Sequence, residues 1–183
     1  ANAAAAIAAV RAAGFNVPPE AAAFAMGAVE WPGRLQRLTT GRLAEFGPEG
    51  AELWLDGGHN PGAGTVIAEA MAAQEERLAR PLFLVTGMIN TKDQTGYFRA
   101  FEGMARHVFT VPVTMSEAGV PADELAARAA EAGLSAEPVA SVENALKLLR
   151  DTWHADETPP RILISGSLYL AGEVLAANGT PPT

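Results

Sequence analysis

The chain has 183 residues, with 13 Lys or Arg against 21 Asp or Glu, a net charge of -8 and a pI near 4.9. An acidic chain with no basic run is a poor partner for nucleic acid or an anionic membrane surface. Cysteine is absent, which excludes disulfides, thiolate metal sites and cysteine nucleophiles, and the three histidines, His59, His107 and His154, lie far apart in sequence.

Asn2 to Ala13 is alanine-rich, with Ile7 and Val10 spaced for one face, and predicts a helix that stops at Gly14. Pro19-Glu20 opens a second helix running to about Val29, and Trp31-Pro32-Gly33 breaks it. Arg34 to Leu38 reads as extended, and the turn signals at Gly41 and Gly47-Pro48-Glu49-Gly50 make a hairpin-like entry into a strand at Leu53–Leu55. Asn60 to Leu78 reads as a long helix with Val66, Ile67, Ala70, Met71 and Ala73 inward. Pro81 to Gly87 is an uninterrupted apolar run, which suits a strand covered on both faces of a parallel sheet.

After a loop holding Asn90, Lys92 and Asp93, a helix is expected around Tyr97 to Met104 and a strand at His107–Val111. Ala122 to Glu131 is a helix closed by Gly133, and Glu137-Pro138-Val139 a short edge strand. Ser141 caps a helix carrying Val142, Ala145, Leu146 and Leu149, then Arg161 to Gly166 is the last strand and Leu168 to Ala177 the last helix. Alternating strands and helices predict an α/β fold, a doubly wound, mostly parallel sheet with helices on both faces. No stretch approaches the ~20 apolar residues that span a bilayer. The N-terminus lacks a basic n-region and a cleavage pattern, so a cytoplasmic setting is expected. The chain opens without Met and in mid-helix by pattern, as a fragment would.

Carboxyl ends of neighbouring strands in such a sheet share one rim, where ligands bind. Three ends here carry chemistry: Asp56 with His59-Asn60, Gly87 through Asp93, and Ser165-Gly166-Ser167. Asp56 suits a ribose hydroxyl, Lys92 a carboxylate or phosphate, and Arg34 a phosphate. Each has a plain structural alternative: a turn or cap for Asp56 and His59, a solvated cation for Lys92, and a helix N-cap for Ser167. Neither a Walker-type loop nor Gly-x-Gly-x-x-Gly occurs, so residues alone lead only to half of an anion-binding site.

Four segments carry a resemblance: Trp31-Pro32-Gly33-Arg34-Leu35, Leu55-Asp56-Gly57-Gly58-His59-Asn60-Pro61, Gly87-Met88 with Lys92-Asp93, and Gly166-Ser167-Leu168-Tyr169-Leu170. In order and spacing they resemble the C-terminal part of folylpolyglutamate synthase/dihydrofolate synthase, of the Mur ligase superfamily. Asn2-Ala3-Ala4-Ala5 is similar to the helix that ends that family's central ATPase domain. The resemblance implies that residues 1–30 close an ATPase domain and that 31–183 form a Rossmann-like C-terminal domain. It also implies a reaction. ATP phosphorylates a carboxylate of dihydropteroate or a reduced folate, and the amine of L-glutamate displaces the phosphate to form an amide.

By the same resemblance Asn2, Arg34 and Asp56 contact ATP, His59 is catalytic, and Lys92 and Ser167 hold the substrate. Asn90-Thr91 departs from the charged residues usual in the family's loop. The P-loop, magnesium ligands and folate pocket belong upstream of Asn2, so Mg2+ is implied without a metal ligand here, and the chain alone is expected to be inactive without its ATPase domain. Replacing Asp56 by alanine is expected to weaken use of ATP with the fold kept. Two other readings stand: a non-catalytic Rossmann-like module for a small ligand, and the C-terminal domain of a cell-wall Mur ligase.

Overall fold

In the computed structural model, which describes residues 2–29 and 31–181, the chain divides into two compact units, Ala1–Pro32 and Gly33–Thr183. The division falls two residues beyond the boundary read from the sequence. In the first unit, α1 (Asn2–Ala12) and α2 (Pro19–Ala28) are joined by a turn that the Arg11 guanidinium closes on the Val17 carbonyl at 2.7 Å. No residue of α2 is buried, and Phe15, Phe24 and Trp31 are exposed.

The second unit is built on one six-stranded sheet. Its strands are β1 (Gln36–Arg37), β2 (Glu52–Asp56), β3 (Leu82–Thr86), β4 (Ala105–Thr110), β5 (Ala136–Pro138) and β6 (Arg161–Ser165), in the spatial order β1-β2-β6-β3-β4-β5. Only β1 is antiparallel, against β2; the other pairings are parallel. Between β1 and β2 a short 3-10 helix, Leu43–Phe46, occupies what the sequence shows only as a turn region. β3 and β6 are buried along their whole length, because their side chains alternate into a core on each face. Leu84 and Leu163 enter one core, and Phe83, Val85, Ile162 and Ile164 the other.

Helices α3 (Pro61–Arg77), α4 (Gln94–Arg99) and α5 (Ala122–Glu131) supply the first core, through Ile67, Met71, Tyr97, Phe98 and Leu125. Helices α6 (Val142–Thr152) and α7 (Leu168–Asn178) supply the second, through Leu146, Leu149, Leu170 and Val174. The sheet is therefore Rossmann-like and doubly wound. Short polar side chains start four of these helices by accepting a free amide: Asn60 from Ala63, Asp93 from Gly96, Ser141 from Asn144 and Ser167 from Tyr169. On α3 the inward face is Gly64, Ile67, Ala68 and Met71, one stripe at helical spacing. Val66 and Ala73, expected inward, are exposed, because an alanine-rich helix offers little contrast from which to read its face. Among the described residues no helix is long and apolar enough to cross a membrane.

Candidate active site

β2, β3 and β4 lead into helices on one face, whereas β5 and β6 lead into helices on the other. β6 stands between β2 and β3. The chain therefore leaves β6 in the opposite direction from both neighbours, which opens a crevice at their carboxyl ends. Three loops surround it: Gly57 to Asn60, Gly87 to Asp93, and Gly166-Ser167. They are tied by their backbones, Gly166 N–H donating to Gly58 O at 3.0 Å and Gly87 N–H to Ser165 O at 3.2 Å. Gly166 has φ +106°, and a side chain there would meet Thr86 Cγ2 at 2.6 Å and Gly87 O at 2.8 Å. Only glycine lets the strands turn out this tightly. Gly96 on α4 faces Pro61 at the start of α3, so the Lys92-Asp93 segment lies beside the His59-Asn60-Pro61 segment. Gly57 likewise faces Leu168, which sets the first loop against the start of α7.

The sequence-derived candidates take distinct places on this rim. Asp56 is 6% exposed, and its two oxygens accept backbone amides, Oδ1 from Gly58 at 2.6 Å and Oδ2 from Leu35 at 2.7 Å. Its carboxylate is thus a clamp joining the 33–35 turn to the end of β2, where Leu35 holds a φ of +41°. Arg34 lies in that turn, 3.9 Å from Asp56 Oδ1 with its side chain 45% exposed, so its guanidinium is directed by Asp56 and open to a ligand. His59 Nδ1 lies 2.8 Å from the Gly57 carbonyl, which can only accept. The proton is therefore on Nδ1, and a neutral ring keeps the Nε2 lone pair free. Lys92 is half-buried and makes no hydrogen bond or ion pair among the described residues. Ser167 is buried and caps α7; its Oγ accepts from Tyr169 N at 3.1 Å and keeps its own proton to donate. The side chain of Asn2 lies outside the described residues. Arg34 and Asp56 are in direct contact; His59, Lys92 and Ser167 are brought to one rim by their loops.

Beneath the rim lies a polar row in which Asp56 and Ser165, read from the sequence, are joined by Thr86, Thr110 and Tyr97, which sequence reasoning missed. In register across three parallel pairings stand Asp56, Ser165, Thr86 and Thr110, all on the α3–α5 face. Tyr97 of α4, fully buried, donates its hydroxyl to Ser165 Oγ at 2.8 Å. Burial pushes the Tyr97 phenol well above its ordinary value, the Ser165 bond opposes this, and the Asp56 charge adds to it. Thr110 Oγ1 donates to Ala122 O at 2.6 Å, whereas Thr86 Oγ1 is buried with no partner.

The opposite end of the sheet holds a second polar group and a cavity of about 570 Å³ lined by Glu75, Glu76, Arg80, Arg106 and Arg161 over Met71, Leu82 and Met104. Its arginines are held by neighbouring oxygens. Buried Arg161 bonds Glu52 Oε2 at 3.1 Å and the Leu78 carbonyl at 3.1 Å, Arg80 bonds the Gly50 and Pro159 carbonyls, and Arg106 pairs with Glu157. Burial raises the Glu52 carboxyl, but hydrogen bonds from Arg161 and Trp54 and the charges of Arg37 and Arg161 outweigh it and hold it below its ordinary value. A cavity whose cations are already engaged has less to offer an anionic ligand than a rim with open cations. The rim is therefore the candidate site. Among the described residues no three of His, Asp and Glu converge to hold a metal.

Solved structures share this fold. The chain is similar to the Mycobacterium tuberculosis folylpolyglutamate synthase complexed with ADP and AMPPCP, at 24% identity and TM-score 0.74, over 93% of this chain and 37% of that one. It is similar to E. coli FolC in complex with DHPP and ADP, at 23% identity and TM-score 0.73, over 96% of this chain and 38% of that one. It also matches the bifunctional folylpolyglutamate synthase/dihydrofolate synthase of Yersinia pestis, at 23% identity and TM-score 0.71, over 94% and 37% of the two chains. The chain thus spans a little over a third of the length of these structures. No curated protein matches its sequence. Residues 33–168, which include all three rim loops, match the family described as Mur ligase, glutamate ligase domain, and the chain belongs to that family.

Proposed function

We propose that this chain is the C-terminal domain of an ATP-dependent amide ligase that adds L-glutamate to dihydropteroate or a reduced folate in the cytoplasm. The observation that carries the reading is the family match across residues 33–168, which takes in every loop of the rim. In the proposed reaction the γ-phosphoryl group of ATP passes to a substrate carboxylate, giving an acyl phosphate and ADP. The glutamate amine attacks the acyl carbon, phosphate leaves, and the amine proton goes to a base.

The rim residues divide this work by their chemistry. Arg34, directed by Asp56, pairs with phosphate oxygens as charge builds on them. His59, its Nδ1 held by the Gly57 carbonyl, offers Nε2 as acceptor for the amine proton. Lys92 pairs with a carboxylate of glutamate, and Ser167 donates its hydroxyl to the same ligand. Asn2 contacts ATP by family resemblance alone. Mg2+, which screens the ATP phosphates when bound, is assigned to residues outside this chain, as are the P-loop and folate pocket; an upstream ATPase domain closing on the rim supplies them.

The test is an ADP-release assay of the full-length protein with ATP, L-glutamate and each of dihydropteroate, tetrahydrofolate and a cell-wall peptide precursor. Glutamate-dependent turnover with a pteroate or folate substrate is expected. Turnover with the cell-wall precursor alone replaces the substrate, and no ligation with any of the three overturns the reading.

A further inference from the structure

Ser165 fastens the Lys92 loop near both ends, while its middle is tied to the 118–120 segment by Asn90 N–H on Ala118 O at 2.8 Å and Val120 N–H on Met88 O at 2.9 Å. The loop's first residue, Gly87, donates its N–H to the Ser165 carbonyl at 3.2 Å. The helix that follows the loop returns to the same residue, through the Tyr97 hydroxyl on Ser165 Oγ at 2.8 Å. Both side chains are shut off from solvent, Tyr97 at 0% and Ser165 at 1% exposure. The Tyr97 ring packs among Phe98 and Phe101, contacts that a phenylalanine would make equally well. The buried hydroxyl is therefore kept for its bond, not for the core.

The packing of α3 removes slack from this fastening. Gly64 of α3 runs against Tyr97 so closely that a side chain there would meet Tyr97 O at 2.8 Å and Cδ2 at 3.2 Å. Ser165, having accepted from Tyr97, keeps a proton to donate, and its register neighbour Thr86 holds a buried hydroxyl with no partner on the same face. The same Ser165 precedes Gly166, whose N–H reaches the Gly58 carbonyl of the His59 loop. One hydroxyl pair thus stands between the loop carrying Lys92 and the two loops carrying His59 and Ser167.

We propose that Tyr97 is a positioning residue for the rim: its hydroxyl, held by Ser165, sets where the Lys92 loop stands against the end of β6. The assignment rests on the proposed role of Lys92 in holding the glutamate carboxylate. It makes Tyr97 act on the amine substrate through the loop, with no contact of its own.

The test has two readouts, so that the inference and the reading on which it rests fail separately. In the first, amide hydrogen exchange is measured on the chain and on its Tyr97→Phe and Ser165→Ala variants. Exchange in residues 88–96 is expected to quicken about fivefold in either variant, and no further in the double variant, because one neutral buried hydrogen bond is lost in each case. Exchange in β4 and α6 stays as it was. In the second, the full-length Tyr97→Phe protein is expected to raise KM for L-glutamate about fivefold, with KM for ATP and kcat within about twofold. Unchanged exchange in 88–96 overturns the inference and leaves the ligase reading standing. Quicker exchange with an unchanged glutamate KM also overturns it, since the loop's place then does not matter to the substrate. A full-length protein without glutamate ligation overturns the reading, and the inference about Lys92 with it.

Discussion

Removing the Asp56 carboxylate strands two backbone amides at once. Gly58 N–H and Leu35 N–H lie 2.6 and 2.7 Å from its oxygens, both short charge-assisted bonds, and the first is buried. A hydrogen bond to a charged group contributes about 1.5–3 kcal/mol, and a buried donor left without an acceptor keeps its desolvation penalty. Leu35 N–H is only partly buried and recovers some of its loss in water. Asp56→Ala is therefore expected to lower stability by about 3–5 kcal/mol, the two bonds together less that recovery. For a chain of this length the fall in Tm is about 6–20 °C. Asp56→Asn keeps one acceptor but turns an NH2 group against the other amide, so it too destabilises. Arg34→Ala, which removes only a half-exposed cation 3.9 Å away, is expected to change stability by less than about 1 kcal/mol. Urea unfolding at constant m-value measures all three. Asp56→Ala and Asp56→Asn within 0.5 kcal/mol of the parent, a margin of about the size seen at neutral surface sites, would refute the clamp. The expectation that Asp56→Ala spares the fold is thereby revised, because this acid holds the turn that carries Arg34.

Other expected outcomes follow from the far end of the sheet and from the glycine at the crevice. Arg161→Met leaves Glu52 buried beside fewer cations and should destabilise by about 3–5 kcal/mol, whereas adding Glu52→Gln should restore much of the loss; an additive pair in a double-mutant cycle contradicts the coupling. Folding lowers the Glu52 carboxyl from 4.5, so it binds its proton less readily when folded. Its stabilisation is full above that value and is lost as pH falls through the folded value. Glu52→Gln should flatten the acid limb of a Tm-against-pH curve below about pH 4.5, and an unchanged limb counts against it. Gly166→Ala places a Cβ at φ +106° and 2.6 Å from Thr86 Cγ2, and should lower stability by at least about 2 kcal/mol in urea unfolding; a neutral effect would mean the three loops can part.

Much of the scaffold is legible in the sequence, for local reasons. The apolar runs at Leu82–Thr86 and Arg161–Ser165 are bounded by proline and glycine, and Ser141, Asn60 and Ser167 stand where helices need an amide acceptor. The rim is legible as a set of loops because parallel strands must end together. What the sequence hides is set by pairings between distant residues. Tyr97 meets Ser165 across 68 residues and Arg161 meets Glu52 across 109, and neither carries a local pattern. Asn178 is 1% exposed and holds the Thr40–Leu43 turn through Thr40 O and Leu43 N, a contact across more than 130 residues. Asp56 reads as a ligand contact because strand-end acids often are one, yet its nearest partners are the chain's own amides.

The rim account is tested most directly by glutamate incorporation into a pteroate or folate acceptor with two full-length variants, Lys92→Ala at the rim and Arg106→Ala at the 570 Å³ cavity on the opposite end of the sheet. Loss of a charge-assisted contact predicts a fall in kcat/KM for L-glutamate of about tenfold or more for Lys92→Ala, with Arg106→Ala within about twofold of the parent. Full activity in Lys92→Ala, or a loss confined to Arg106→Ala, would place the chemistry at the wrong end of the sheet.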